Sequence, residues 1–310
     1  MTSIPILDFA PFLQGNPSDR QQVARALYQG CCSTGLLYLR RVGLTSEIIA
    51  QAFAASRNFF ALPLAVKQQV AWSQVSSNRG YIGVARESLD PSCPGDIKEA
   101  FNLGQERSPA ELAAGRDNPA VQPNPWPDLP QFRPTAMAVY DQFAAAAYRV
   151  MRALALALEL PEDYFVQRHQ SPWFTLRLLH YPPMSQPSSG PGRAGAHTDY
   201  GSLTLLVQDG VGGLEVQQRD GHWVAVPAIP DTVIVNVGDL MARWTNGVLR
   251  AAPHRVVSPA SGGRRYAIAF FCEPDPQVEV RCLPSCRGDR SQYPPITAQD
   301  YLMQRLSRTY

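Results

Sequence analysis

The chain has 310 residues, with 28 Lys plus Arg against 26 Asp plus Glu, a formal charge of +2. That balance argues against a nucleic-acid or membrane-surface binder, both of which want a concentrated basic field. With 45% hydrophobic and 17% charged residues, the chain is neither disordered nor a coiled coil, and it is long enough to bury a core without disulfide or metal staples.

Ile4 to Phe9 is a short apolar run whose Pro5 suits an edge strand. Ser18 to Gln21 reads as a capping-box start, and Val23, Leu27 and Cys31 continue at helical spacing until Gly35. Leu36 to Val42 reads as a strand. Thr45 opens a helix that ends near Phe60, and Pro63 opens a third. From Ser76 to about Pro130 the composition shifts to Gly, Pro, Ser and Asn, predicting a long irregular segment of the kind that carries function. Residues 134–160 form the longest helical pattern, with Met137, Tyr140, Val150, Met151 and Leu154 among its apolar positions. Arg149 and Arg152 mark it as a packed helix and not a membrane span. Pro161 starts a further short helix.

After Ser171 the period changes. Phe174–Tyr181, Ser202–Gln208, Gly213–Gln217, Trp223–Val226, Thr232–Val237, His254–Val257 and Arg265–Cys272 are short β-type runs separated by Gly, Pro, Asp and Asn. Many short strands at such spacing predict a sandwich or barrel. A last helix spans Thr297 to Ser307. The N-terminal stretch lacks the basic region and apolar core of a signal peptide. The cysteines at 31, 32, 93, 272, 282 and 286 lack the density of a disulfide framework, and Cys282 and Cys286 have no second pair to complete a zinc site. Reduced thiols in a cytoplasmic protein are expected.

With five histidines, pairings are few. His197-Thr198-Asp199 sets an imidazole and a carboxylate two residues apart, which on extended chain puts both on one face. His254 lies in another β-type run. Two His and one carboxylate at one corner of a metal is the arrangement of non-haem Fe(II) oxygenases. The H-x-D element alone also fits a surface turn, so its surroundings must decide. His180 alternates out of phase with Thr175, Arg177, Leu179 and Tyr181 and is expected on the far face of its strand. His222 sits in a hairpin-turn signal and is expected in solvent. His169, beside Arg168, reads as a surface histidine at a helix end.

Those surroundings carry a resemblance. HTDYGSLTLLVQDGVGGLEV, VNVGDLMARWTNGVLRAAPHRV and RRYAIAFFCEPD, together with IPILDFAPFL, GLLYLRRVGL and FFALPLAVK at the front, resemble the isopenicillin N synthase-like family of iron- and 2-oxoglutarate-dependent oxygenases. The resemblance covers nearly the whole chain. It implies a distorted double-stranded β-helix (jelly roll) at about 172–275, a spine helix and an N-terminal α/β region. The division falls at 1–120 and 121–310, with both parts expected in one compact unit.

By the same resemblance, His197, Asp199 and His254 hold Fe(II), while Arg265 and Tyr181 take the far carboxylate of 2-oxoglutarate. A guanidinium suits that carboxylate because it can pair bidentately. Two positions depart from the family pattern: Ala267 stands where an R-x-S hydroxyl is usual, and Leu179 stands where an N-x-Y asparagine is usual. The segment with Arg79, Tyr81, Arg86, Lys98, Glu99 and Phe101 resembles the family's substrate-side loop. Arg86, Lys98, Phe101, Arg177 and Trp244 are the candidate substrate contacts.

The implied reaction uses O₂ to oxidise a small-molecule substrate by hydroxylation, desaturation or cyclisation, with release of succinate and CO₂. A 2-oxoglutarate-independent iron oxidase is the alternative within the family, and a zinc hydrolase or metal-binding module the alternative outside it. No nucleic-acid or membrane partner is expected, and the protein should be a monomer or weak homo-oligomer.

Overall fold

The structure is a computed structural model that describes residues 4–72, 78–88, 95–115, 118, 121–170, 173–183, 193–258, 262–288 and 290–309. Cys93 lies outside them. The chain begins with β1 (Ile6–Asp8), α1 (Ala10–Gln14), α2 (Pro17–Ser33), β2 (Leu36–Arg40), α3 (Ser46–Phe60) and α4 (Leu64–Gln69). The capping box of α2 is built from Asn16 and Asp19, not from Ser18. Pro17 occupies the first helical position, where a missing N–H costs nothing. Thr45 caps α3 as the sequence indicates, its hydroxyl accepting from the Ile48 N–H at 3.2 Å.

The expectation of an irregular 76–130 segment is corrected. It supplies β3 (Gly80–Ile82), β4 (Glu99–Leu103) and α5 (Pro109–Ala114). β4 contains Glu99 and Asn102 and is nevertheless buried throughout. Each polar side chain finds a tertiary partner there that no local pattern reveals. The spine helix α6 runs Phe132–Ala157. The short helix expected at Pro161 is a set of turns followed by one 3₁₀ turn, Val166–Arg168.

Then follow β5 (Thr175–Tyr181), β6 (Ala194–His197), β7 (Leu203–Gln208), β8 (Leu214–Gln217), β9 (Trp223–Ala225), β10 (Thr232–Val237), α7 (Asp239–Trp244), β11 (His254–Val256), β12 (Arg265–Cys272), β13 (Glu279–Val280), β14 (Ile296–Thr297) and α8 (Ala298–Thr309). An eight-stranded sheet has the order β1-β2-β10-β7-β12-β5-β4-β3, and a four-stranded sheet the order β6-β11-β8-β9. The two make the jelly roll. The N-terminal strands extend one edge of its larger sheet, and β3 and β4 extend the other.

Strand alternation divides the larger sheet into two faces. On β12, Tyr266, Ile268, Phe270 and Cys272 join the core under the helices, while Ala267 and Ala269 join the cluster between the sheets, with Phe271 against it. Tyr140 and Phe143 of α6 meet Phe270 with ring centroids at 5.2 and 5.7 Å. Each buried side chain of this size contributes ~1.5–3 kcal/mol, so the helices hold the sheet from outside. The space between the sheets remains for the site.

Candidate active site

β6 and β11 are neighbours, and their register sets His254 opposite His197. Asp199 follows in the turn that leaves β6. The Nε2 atoms of His197 and His254 stand 3.9 and 3.7 Å from Asp199 Oδ1, and the three groups lie within 4.8 Å of one another. His197 Nδ1 faces the Gly195 carbonyl at 2.8 Å and His254 Nδ1 the Ala252 carbonyl at 3.2 Å. These contacts assign the proton of each ring to Nδ1, which donates, and leave both Nε2 lone pairs converging.

Asp199 Oδ2 accepts from Asn236 Nδ2 at 2.7 Å, which turns Oδ1 toward the imidazoles. Burial, reinforced by the neighbouring His254, pushes His197 down to about 3, so it stays neutral as metal binding requires. Asp199 is held below the usual carboxylate range: burial would raise it, but His254, His197 and the Asn236 bond outweigh that. Two imidazole nitrogens and one carboxylate oxygen can share a point at ~2.0–2.2 Å, leaving the opposite positions to the cavity. The donor set and spacing fit ferrous iron.

The triad forms part of the wall of a cavity of about 940 Å³, counted to its open mouth. At one end stands Arg265, buried and paired across the strands with Tyr181, its guanidinium 4.8 Å from that ring. Its Nε donates to the Gly212 carbonyl at 2.9 Å and Nη2 to Gln208 Oε1 at 3.0 Å, while Nη1 has no partner among the described residues. That spare donor is what a carboxylate ligand needs. Ala267 and Leu179 face each other across the strands and make an apolar wall beside it. Gln208 orients the guanidinium instead.

At the other end, Arg177 donates from Nε to Asn102 Oδ1 at 2.8 Å and from Nη1 to Glu87 at 3.0 Å. Lys98 also pairs with Glu87, at 3.0 Å, and with Asp96. Lys98 and Arg177 thus line the cavity. The other three candidate substrate residues do not. Arg86 is exposed and lies over the Trp72 ring at 4.9 Å. Phe101 points to the helix face and packs on Phe59 at 4.6 Å. Trp244 is fully buried against Phe165 at 5.4 Å. Alternation along β4 sends Lys98, Ala100 and Asn102 inward and Glu99, Phe101 and Leu103 outward, which the sequence reading of this segment did not resolve.

Tyr81 and Glu99 likewise leave the cavity. Glu99 accepts from Lys67 at 2.7 Å and Tyr81 at 2.6 Å, and its other oxygen meets His180 Nδ1 at 2.8 Å. His180 therefore faces away from the metal, as its phase indicated, and His222 is exposed. Arg79 is buried and donates to Thr175 Oγ1 at 3.0 Å. His169 is corrected from surface to core. It is 0% exposed, bridging the Phe165 carbonyl and Ser202 Oγ, and burial pushes it down to about 4.

Several cavity residues escaped the sequence reading. Glu87 and Glu273 line the Arg177 end of the cavity, and α8 covers it with Leu302, Leu306 and Thr309. The Thr309 carbonyl accepts from the Ser88 N–H at 3.2 Å, and the hydroxyls of Thr309 and Tyr200 are 2.6 Å apart. Glu273 had a legible signal, since it continues the inward alternation from Arg265 by steps of two. The α8 contacts had none, because nothing local says where a terminal helix docks.

Residues 161–274 match the family described as the 2OG-Fe(II) oxygenase superfamily, and residues 4–129 the non-haem dioxygenase N-terminal family. A 2-oxoglutarate-Fe(II) type oxidoreductase of Emericella nidulans is 33% identical, over 100% of this chain and 91% of its own length. The chain belongs to the 2OG-Fe(II) oxygenase superfamily.

A proline hydroxylase of Petromyces alliaceus is 35% identical to this oxygenase, covering 98% of each chain. A full-length protein of Neurospora crassa, solved in complex with alpha-KG and thymine, is 36% identical with a TM-score of 0.88, covering 99% of this chain and 97% of that one. The protein is thus a 2-oxoglutarate-dependent, iron-dependent dioxygenase with the jelly-roll fold, and the oxidase and hydrolase alternatives are set aside. Among the described residues no helix is long and apolar enough to cross a membrane.

Proposed function

We propose that His197, Asp199 and His254 hold Fe(II), that Arg265 with Tyr181 anchors the far carboxylate of 2-oxoglutarate, and that a small organic substrate lies between Arg177, Phe271 and α8. The observation that carries this reading is the unpartnered Nη1 of Arg265 in the cavity that the triad faces. Iron and 2-oxoglutarate together supply, with O₂, the oxidising power for a C–H bond, releasing succinate and CO₂. The chain's own residues do the rest. Asn236 fixes Asp199, the Gly195 and Ala252 carbonyls fix the two imidazoles, and Gln208 and the Gly212 carbonyl aim Arg265.

Arg265 and Phe271 stand at opposite ends of one strand, six residues apart or ~20 Å at the usual rise. Cosubstrate and substrate would therefore lie toward opposite ends of the cavity, with the triad that would hold the metal in its wall. α8 and Tyr200 shield the substrate end from water. Thymine in the Neurospora crassa complex and the name of the proline hydroxylase support a small-molecule substrate, with hydroxylation as the default outcome. Both segments of the chain would act as one unit, because β2 and β10 pair within the larger sheet. The free thiols at Cys31, Cys32, Cys272, Cys282 and Cys286 support a cytoplasmic location, and a monomer or weak homo-oligomer would suffice since the described site uses one chain. Two assays test the reading: succinate formation from 2-oxoglutarate under air with Fe(II), and calorimetric titration of 2-oxoglutarate under nitrogen with Mn(II). Absence of both would overturn it.

A further inference from the structure

Glu273 follows β12 and is the next inward position after Phe271. It is 7% exposed, lines the substrate end beside Asn78 and Arg177, and packs against Gly201, where a Cβ would stand 3.4 Å from Oε1. Its Oε2 has no hydrogen-bond partner among the described residues. The surrounding acceptors are already taken. Glu87 receives Arg177 at 3.0 Å and Lys98 at 3.0 Å, Asn102 Oδ1 receives Arg177 Nε at 2.8 Å, and Asn78 Oδ1 receives Asn102 Nδ2 at 2.8 Å.

Among the described residues no cation pairs directly with Glu273 either. Arg79 sends Nη1 to the Asn78 carbonyl and Thr175 Oγ1, and Nη2 to the Phe174 carbonyl. A buried carboxyl without a cation holds its proton. Consistently, burial pushes Glu273 up to about 8 against the opposing pull of Arg79. The charged groups acting on it from the elements around it are Arg79, Asp199 and Arg177. The O–H of a neutral Glu273 is therefore an unused hydrogen-bond donor at this end.

We propose that Glu273 determines specificity: its Oε2–H donates to a carbonyl oxygen of the substrate, so the enzyme selects small molecules with an amide, imide or ketone oxygen at that end. This rests on the site reading above, which places the substrate there. It requires that the carboxyl be neutral and that a donor at position 273 be worth affinity. Two measurements test it.

The infrared difference spectrum between wild type and Glu273→Gln, both loaded with Mn(II) and 2-oxoglutarate, should contain the carbonyl stretch of a protonated acid. An antisymmetric carboxylate stretch instead would overturn the proposal. In the second, the same loaded proteins are titrated under nitrogen with thymine and uracil and with their 4-deoxo counterparts, 5-methyl-2-pyrimidinone and 2-pyrimidinone. The oxo compounds should bind about tenfold more tightly than their partners to wild type and to Glu273→Gln, which keeps a donor. The preference should vanish in Glu273→Leu. No preference in wild type, or an equal one in Glu273→Leu, would overturn it. Titrating 2-oxoglutarate first into each protein separates the cases: its failure to bind wild type indicts the site reading, and normal binding with a null result at position 273 indicts this inference alone.

Discussion

Arg265 and Arg177 are both buried arginines on the inward faces of paired strands, and they have been treated oppositely. Among the described residues Arg265 donates only to neutral oxygens, and one of its donors stays open. Arg177 is closed into a network with Glu87, Asn102 and, through Glu87, Lys98. A buried cation without a carboxylate is costly unless a ligand brings one. Under the proposed function the Arg265 end would receive the far carboxylate of 2-oxoglutarate, whereas the Arg177 end, its charge already paired, would receive a molecule of little net charge. Paired and unpaired charge thus divide one cavity into two unlike ends.

The most severe way to break that division is to remove the metal both ends share. Asp199→Ala, His197→Ala and His254→Ala should each abolish 2-oxoglutarate turnover and retained iron while leaving the circular dichroism spectrum and unfolding cooperativity intact. Substantial activity in one variant would remove that residue from the triad.

The two arginines should then fail in different assays. Arg177→Met leaves Glu87 buried with Lys98 as its remaining cation and should cost ~3–5 kcal/mol of stability in urea unfolding, with 2-oxoglutarate affinity unchanged. Arg265→Met should weaken 2-oxoglutarate binding by roughly 30-fold or more in the Mn(II) titration, with little loss of stability. Exchanged outcomes would refute the contrast.

The carboxylates of the Arg177 end offer a pH test with opposite signs. Burial raises Glu273 to about 8, so its contribution to stability is full below the ordinary carboxylate range near 4.5 and is lost as pH rises through 8. Glu87 lies below its usual range because Arg177 and Lys98 outweigh its burial, so its contribution is lost only as pH falls into acid. Glu273→Gln should therefore gain stability relative to wild type between about pH 5 and 9, by order of a few kcal/mol, measured as the difference in Tm. A flat difference would show that Glu273 is ionised.

The smallest expected effect sharpens the Arg265 end. Ala267 and Leu179 leave one wall apolar, so Ala267→Ser should add a hydroxyl near the anchored carboxylate and tighten 2-oxoglutarate binding by at most about tenfold. Weaker binding would mean that the apolar wall itself makes the contact.

What was legible along the chain was what local spacing sets. His197 and Asp199 are two residues apart, and His254 and Arg265 begin successive strands whose inward phase follows from alternation. Phase alone also removed His180 from the metal. Phe101 and Trp244 failed as substrate residues because an aromatic side chain looks alike on either face of its element. His169 failed because a polar residue reads as surface until a carbonyl and a hydroxyl are found waiting for it in the core.

The succession of strands, the spine helix and the shared phase of His197 and Asp199 could thus be read from residue order, since they rest on period and spacing along one stretch of chain, whereas the roles proposed for Arg265 and Tyr181 rest on the family resemblance. Long-range packing settled the rest: β3 and β4 close the larger sheet, α8 covers the Arg177 end of the cavity, and among the described residues Glu87 is paired while Glu273 Oε2 is not. Those facts depend on which side chains meet across distant segments, and burial, pairing and protonation are set by those meetings and not by neighbours in the chain.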